Sequence, residues 1–278
     1  MRLLIMIFLK VFGKIRRTLT PKNKRLQKLV YRTYPLLGDA QDNCLSDELS
    51  LLANMWSTDK GTAVPDSTNH FGPRLFFTPI YELFFSKMKG RSLCILEIGI
   101  GGGQSLPMWR QYFPEAEIHA IDIERYADPE IQGVKLHQID QTDRLQLKSL
   151  GEEFGPFDII IDDGGHMMEQ QQVSLGTLFS FLQPGGLYFI EDLHTSFWPY
   201  NSYTDLYGTA LDINEDRTNT TYLFLMEFMK SGVSNSLFLS QEENQILGVM
   251  ADKVVVFDLP KTDYGPNRLG MLRRAQGR

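Results

Sequence analysis

Short apolar runs alternate with helix-like stretches through the middle of the chain. Leu93–Leu96, Glu117–Ile121, Val134–Ile139, Phe157–Ile161 and Gly186–Ile190 read as strands. Helical spacing separates most of them, at Gln104–Tyr112, Asp143–Phe154 and Met167–Leu182. Strands alternating with helices of this length predict a parallel sheet with helices on both faces. Two further helices are expected upstream, over 44–56 and over Pro79–Met88, where Ile80, Leu83, Phe84 and Met88 share one face. Near the C-terminus, Ile246–Met250 and Val254–Phe257 flank Ala251-Asp252-Lys253 and read as an antiparallel hairpin that closes the sheet.

The first strand runs into Glu97-Ile98-Gly99-Ile100-Gly101-Gly102-Gly103, and a helix follows with Gln104 and Ser105. Glycines there let the backbone turn sharply beside a ligand, while the helix start offers free N–H donors. Asp122 ends the second strand about 20 residues later, where a carboxylate can accept from both hydroxyls of a ribose. A nucleotide-like cofactor is the expectation. No Tyr has a Lys four positions later, which speaks against a short-chain dehydrogenase.

Acidic residues gather where two strands should end: Asp162-Asp163-Gly164-Gly165-His166 and Glu191-Asp192. In a parallel sheet those ends lie side by side at the ligand edge. Converging carboxylates repel and are poorly solvated, so they call for a cation or for raised pKa values. Oxygen ligands suit Mg2+ or Mn2+. The competing reading makes these acids helix caps and turn formers. His166, three residues beyond Asp163, is placed to take a proton at the same edge, with His194 as a second candidate. His70, His119 and His137 read as structural or surface residues.

Charge and composition narrow the classes. A 278-residue chain with 42% hydrophobic residues suffices for one α/β core with additions. The net charge of −6 is uneven: nine of the 28 Lys and Arg fall within the first 28 positions, where no acid stands. The remainder carries 19 basic against 34 acidic groups, net −15, which argues against a nucleic-acid partner. The apolar run Leu3–Leu9 is too short to span a bilayer and lacks a cleavage site. Residues 1–28 are expected either to rest weakly on the inner membrane surface or to pack on the domain or a second subunit. Cys44 and Cys94 read as free thiols of a reducing, cytoplasmic setting, and no Cys/His cluster suggests zinc.

Ser57-Thr58-Asp59-Lys60, the Glu97–Gly103 turn, Phe157–His166, and Pro184-Gly185-Gly186-Leu187-Tyr188-Phe189-Ile190-Glu191-Asp192 with Trp198-Pro199 together resemble the metal-dependent sugar O-methyltransferases of macrolide biosynthesis. The match covers roughly residues 51–260. It implies a Rossmann-like class I methyltransferase fold, α/β with a mostly parallel twisted sheet and a C-terminal antiparallel hairpin. It further implies S-adenosylmethionine and Mg2+ (or Mn2+) as cofactors, and methyl transfer to a sugar hydroxyl of a glycosylated natural product or a surface glycan. By this resemblance Asp163, Glu191 and Asp192 are the metal ligands and His166 is the general base. Glu97, Gly99, Gly101, Gln104, Ser105 and Asp122 fall at the cofactor turn, with Asp140 and Gln141 beside the adenosine, Asp162 also counted among the cofactor-binding residues, and Thr58 and Tyr81 assisting.

The chain departs from that family in lacking a large N-terminal auxiliary domain, in carrying a basic apolar leader, and in reading Gly165 where Ser is usual. The expected division is a leader at 1–40, the methyltransferase domain at 41–265 and a tail at 266–278, in a homo-oligomer. Three other readings stand beside this one: a catechol-like phenol as acceptor, a nicotinamide-dependent oxidoreductase, and a non-catalytic Rossmann-like binding module. Phe197, Trp198, Tyr200, Tyr203 and Tyr207 follow strand five, where they either line an acceptor pocket or fill space beneath the loop.

Overall fold

The computed structural model describes residues 47–62, 75–124, 133–197, 219–260 and 267–276. Its sheet has seven strands in the order β3-β2-β1-β4-β5-β7-β6. These are β1 (Cys94–Ile98), β2 (Glu117–Asp122), β3 (Val134–Gln138), β4 (Phe157–Asp162), β5 (Leu182–Ile190), β6 (Ala251–Asp258) and β7 (Arg268–Arg274). The first five pair in parallel, while β7 runs antiparallel to both β5 and β6. Because β2 and β3 build outward on one side of β1 and β4 opens the other side, the chain reverses direction between β1 and β4. Ligands bind at such a reversal, outside the carboxyl ends of the strands.

Helices cover both faces, and the continuous apolar runs follow from that double burial. On one face Ile95, Ile159, Ile161 and Phe189 pack with α1 (Glu48–Met55), α2 (Thr78–Phe85) and α3 (Ser105–Tyr112) through Leu49, Phe77, Phe85 and Trp109. On the other, Leu96, Ile160 and Tyr188 meet α4 (Arg144–Phe154), α5 (Met168–Leu178), α6 (Thr221–Ser231) and α7 (Gln241–Met250) through Leu150, Leu175, Phe228 and Leu247. Local chemistry sets the helix starts: Asp47 accepts from Ser50 N at 2.8 Å, Asp143 caps α4, and Ser240 with Glu243 forms a capping box on α7.

The expected hairpin is corrected by the structure. Ile246–Met250 lies in α7, and the antiparallel pair is instead β6 with β7, which falls inside the stretch expected to be a tail from 266. The Ser240/Glu243 box starts a helix that runs through the apolar run to Met250. Gly270 and the flanking Arg268, Arg273 and Arg274 hide the apolar centre of β7 from a periodicity count. The helix expected over 167–182 ends at Leu178 in a single 3-10 turn, Phe179–Phe181, and β5 starts earlier than expected, at Leu182.

The strand ends are tied to one another like steps. Gly99 N donates to Ile121 O at 2.8 Å, Asp163 N to Ile98 O at 2.9 Å, and Glu191 N to Asp162 O at 2.9 Å. Each residue that leaves a strand thus borrows a carbonyl from its neighbour, and the backbone of the candidate site inherits the rigidity of the sheet. The leader 1–40, Cys44, His70, Trp198, Tyr200, Tyr203 and Tyr207 lie outside the described residues. Among the described residues no helix is long and apolar enough to cross a membrane.

Candidate active site

The glycine turn after β1 is held from two sides. Asp122 Oδ2 accepts Ile100 N at 2.8 Å and Oδ1 accepts Glu124 N at 3.0 Å, so the expected ribose acid also fixes the turn it faces. Glu97 is fully buried and accepts from Ser105 Oγ at 2.8 Å, linking β1 to the first turn of α3. Gln104 is the residue before that helix. Gly99 sits at φ +87°, and a Cβ there would overlap the carbonyl oxygen of Asp163. Gly101, at φ +50°, has open space around it. Gly99→Ala is therefore expected to cost about 3 kcal/mol or more, against about 1–2 for Gly101→Ala, measured by urea denaturation of both variants.

A second turn forms beside it. Gln141 Nε2 donates to Asp162 Oδ1 at 3.2 Å and its Oε1 accepts Gly165 N at 2.7 Å, so the connection after β3 props up the one after β4. Asp140 accepts both the backbone N and the hydroxyl of Thr142 at 2.8 Å, forming a turn before α4. Asp162 is wholly enclosed by Ser174, Tyr188, Gln141 and the Gly164 amide. Burial pushes its carboxyl up to about 6 despite those donors. Oδ1 serves this turn, while Oδ2 accepts from Ser174 of α5 and Tyr188 of β5.

Asp163, His166 and Asp192 come together, with one potential ligand atom from each lying within 4.8 Å of the others. His166 Nε2 is 3.3 Å from Asp192 Oδ2 and 3.9 Å from Asp163 Oδ1. His194 Nδ1 stands 3.4 Å from Asp192 Oδ1. His166 and Asp192 both occupy the left-handed region, at φ 57° and 53°, which non-glycine residues rarely adopt. Strain of this kind persists where the surroundings over-determine the backbone, and it gathers at functional sites. Burial alone would raise the Asp192 carboxyl, but His166, His194 and Lys60 around it hold it down at about 2.

Glu191 faces the other way, into the α1–α3 face. Its Oε1 accepts from the Tyr81 hydroxyl at 2.5 Å and its Oε2 from Lys60 Nζ at 2.8 Å. Tyr81 is fully buried, with its ring stacked on Phe85 and edge-on to Phe189. The Lys60 ammonium also pairs with Asp163 Oδ2 and lies 3.9 Å from Glu97 Oε1. Lys60 is 1% exposed; burial opposes its charge, yet Asp163, Glu191, Glu97 and Asp59 together hold its pKa well above the usual lysine range. Burial pushes Glu97 up to about 7 and Asp59 to about 6, with Lys60 opposing both. Thr58 is buried in the same loop, its hydroxyl accepting Lys60 N at 3.4 Å.

The oxygen-rich donor set fits a divalent cation. One lysine is shared by four acidic side chains, and Asp192 Oδ1 is buried with no hydrogen bond of good geometry. Mg2+ or Mn2+ would take such oxygens, completed by water or an acceptor. Lys60 reaches this site from the Ser57–Lys60 motif, and its partners Asp163 and Glu191 lie 103 and 131 residues away in sequence, so periodicity and spacing do not disclose it.

The fold matches a solved structure over most of the described chain. The MycE methyltransferase of the mycinamycin pathway, solved with Mg, SAH and mycinamycin VI, superposes with a TM-score of 0.61 at 24% identity, covering 84% of this chain and 56% of that one. The fold is that of a class I methyltransferase. No family model matches the chain. Mycinamicin VI 2''-O-methyltransferase of Micromonospora griseorubida is 34% identical over 188 residues, which is 60% of this chain and 47% of the relative. Demethylmacrocin O-methyltransferase of Streptomyces fradiae is 41% identical over 139 residues, 48% and 35% of the two chains. A rhamnosyl tetracenomycin-C 2'-O-methyltransferase of Streptomyces olivaceus is 39% identical over 133 residues, 44% and 34%. The chain thus spans between about a third and a half of the length of these curated relatives. Within the methyltransferase fold, the glycine turn and the Asp163/His166/Asp192 group occupy the carboxyl edge of the sheet, around the point where strand order reverses.

Proposed function

We propose that this chain is an S-adenosylmethionine-dependent O-methyltransferase that uses Mg2+ or Mn2+ to methylate a sugar hydroxyl on a glycosylated natural product or a surface glycan. The observation that carries the reading is the Asp163/His166/Asp192 cluster beside the glycine turn of a methyltransferase fold. The relatives support the acceptor class, since their names specify 2''-O-methylation of mycinamicin VI and 2'-O-methylation of a rhamnosyl tetracenomycin.

The cofactor would supply an electrophilic methyl on a sulfonium. Asp122 would receive its ribose hydroxyls at the turn formed by Gly99 and Gly101, with Glu97, Gln104 and Ser105 around the turn and Asp140 and Gln141 toward the base. Asp163, Asp192 and Glu191 would hold the cation, which when bound acts as a Lewis acid toward the acceptor oxygen. His166 accepts the hydroxyl proton, and Asp192, whose Oδ2 lies 3.3 Å from Nε2, stabilises the imidazolium that results. Of the aromatic residues after β5, Phe197 is committed to packing: it lies 4.8 Å from Tyr222, and the Arg268 guanidinium covers both rings.

Calorimetric titration of the full chain with S-adenosylmethionine and S-adenosylhomocysteine, with Mg2+ and with EDTA, tests the reading. Micromolar binding, followed by metal-dependent methylation of a rhamnosylated or related acceptor, is the expected result. A folded protein that binds neither compound would refute it.

A further inference from the structure

The geometry points to Lys60 as the resident counter-charge of the acidic strand ends, a positioning residue that sets how tightly the site takes a divalent cation. The inference rests on reading those ends as a cation site.

Three features isolate Lys60 from an ordinary structural lysine. Its ammonium is buried, and it touches carboxylates supplied by three neighbouring strand ends: Glu97 of β1, Asp163 after β4 and Glu191 after β5. Its backbone is clamped as well, because Lys60 O accepts Phe77 N at 3.0 Å and Thr78 N at 3.1 Å where α2 begins. The ammonium therefore has a fixed origin and caps the cluster from the α1–α3 side. Finally, it holds an oxygen each of Asp163 and Glu191, two of the three residues expected to ligate the ion.

Two cations that neutralise the same carboxylates compete for the same electrostatic gain. Glu191 has one oxygen on Tyr81 and the other on Lys60, so it can serve an ion only by sharing or releasing the ammonium. Without an ion, Lys60 is the cation that touches Glu97, Asp163 and Glu191 together and offsets their repulsion. Lys60 thus stabilises the ion-free protein and moderates the affinity of the loaded one.

Lys60→Met keeps the length and apolar stem while removing the charge. Calorimetry with Mn2+ on the full chain should show the variant binding at least about tenfold more tightly than the unmodified protein. Its ion-free melting temperature should fall, and the rise on adding Mn2+ should be larger. A lysine with a merely structural role would, on removal, loosen the site and weaken binding. Unchanged or weaker binding in a folded variant would overturn the inference while leaving the cation site standing; no binding by either protein would overturn both.

Should the variant not fold, 1H–15N spectra of the lysine ammonium groups in the unmodified chain decide the matter. A protected ammonium resonance that moves on saturation with Mg2+ supports the assignment. A resonance indifferent to saturating Mg2+, or the lack of a protected one, overturns it.

Discussion

His166→Ala is expected to retain S-adenosylmethionine binding and to lose about 10² to 10⁴ in kcat, the usual cost of removing a general base. The imidazole lies beside Asp192 and Asp163, with Nε2 turned to both, so an imidazolium formed there is stabilised by two carboxylates. His194 is nearby, but it meets the opposite oxygen of Asp192. Because His166 holds a left-handed backbone, Ala there also carries strain of about 1–2 kcal/mol. His166→Asn, whose residue type tolerates that region, separates the two effects. If single-turnover kinetics show both variants equally impaired, the loss is chemical; near-normal turnover in either removes His166 from the role.

Asp192→Asn is expected to cost at least about 10² in kcat and to abolish any response to added Mg2+. One substitution removes a cation ligand, the charge that holds the His166 ring and the partner of His194. Asn preserves shape and tolerates φ 53°, so circular dichroism should show a folded protein, with a lowered denaturation midpoint because the charge that His166, His194 and Lys60 stabilise is gone. Methyl transfer measured against a Mg2+ series, with and without chelator, gives the answer. Full activity in chelator would show that the acidic strand ends are turn formers and nothing more.

The β1–β5 core was legible because its signals are local. A strand buried on both faces is an uninterrupted apolar run, and a glycine turn between strand and helix needs only neighbours in sequence to be recognised. The paired acids at Asp163 and Asp192 could be placed at one edge because a parallel sheet puts its carboxyl ends together. Where side chains point was beyond such reasoning. Glu191 and Asp192 are adjacent, yet one faces Tyr81 and Lys60 while the other faces His166. The left-handed turn at Asp192 accounts for that divergence, and no residue type in the segment announces it. The misplaced hairpin has a similar origin: four apolar residues in five fit a helix as well as a strand, and the deciding evidence was the cap at Ser240 rather than the run itself.

The stepped hydrogen bonds at the strand ends bear on how such a protein can diverge. With Gly99, Asp163 and Glu191 each bonded to the adjoining strand, one residue inserted or deleted within a strand would send its last side chains to the opposite face of the sheet. Length changes are thus barred on the sheet side of these junctions, where the register is set. A lineage built on this frame can acquire new acceptors only by remodelling segments that leave the sheet after the site has already been set.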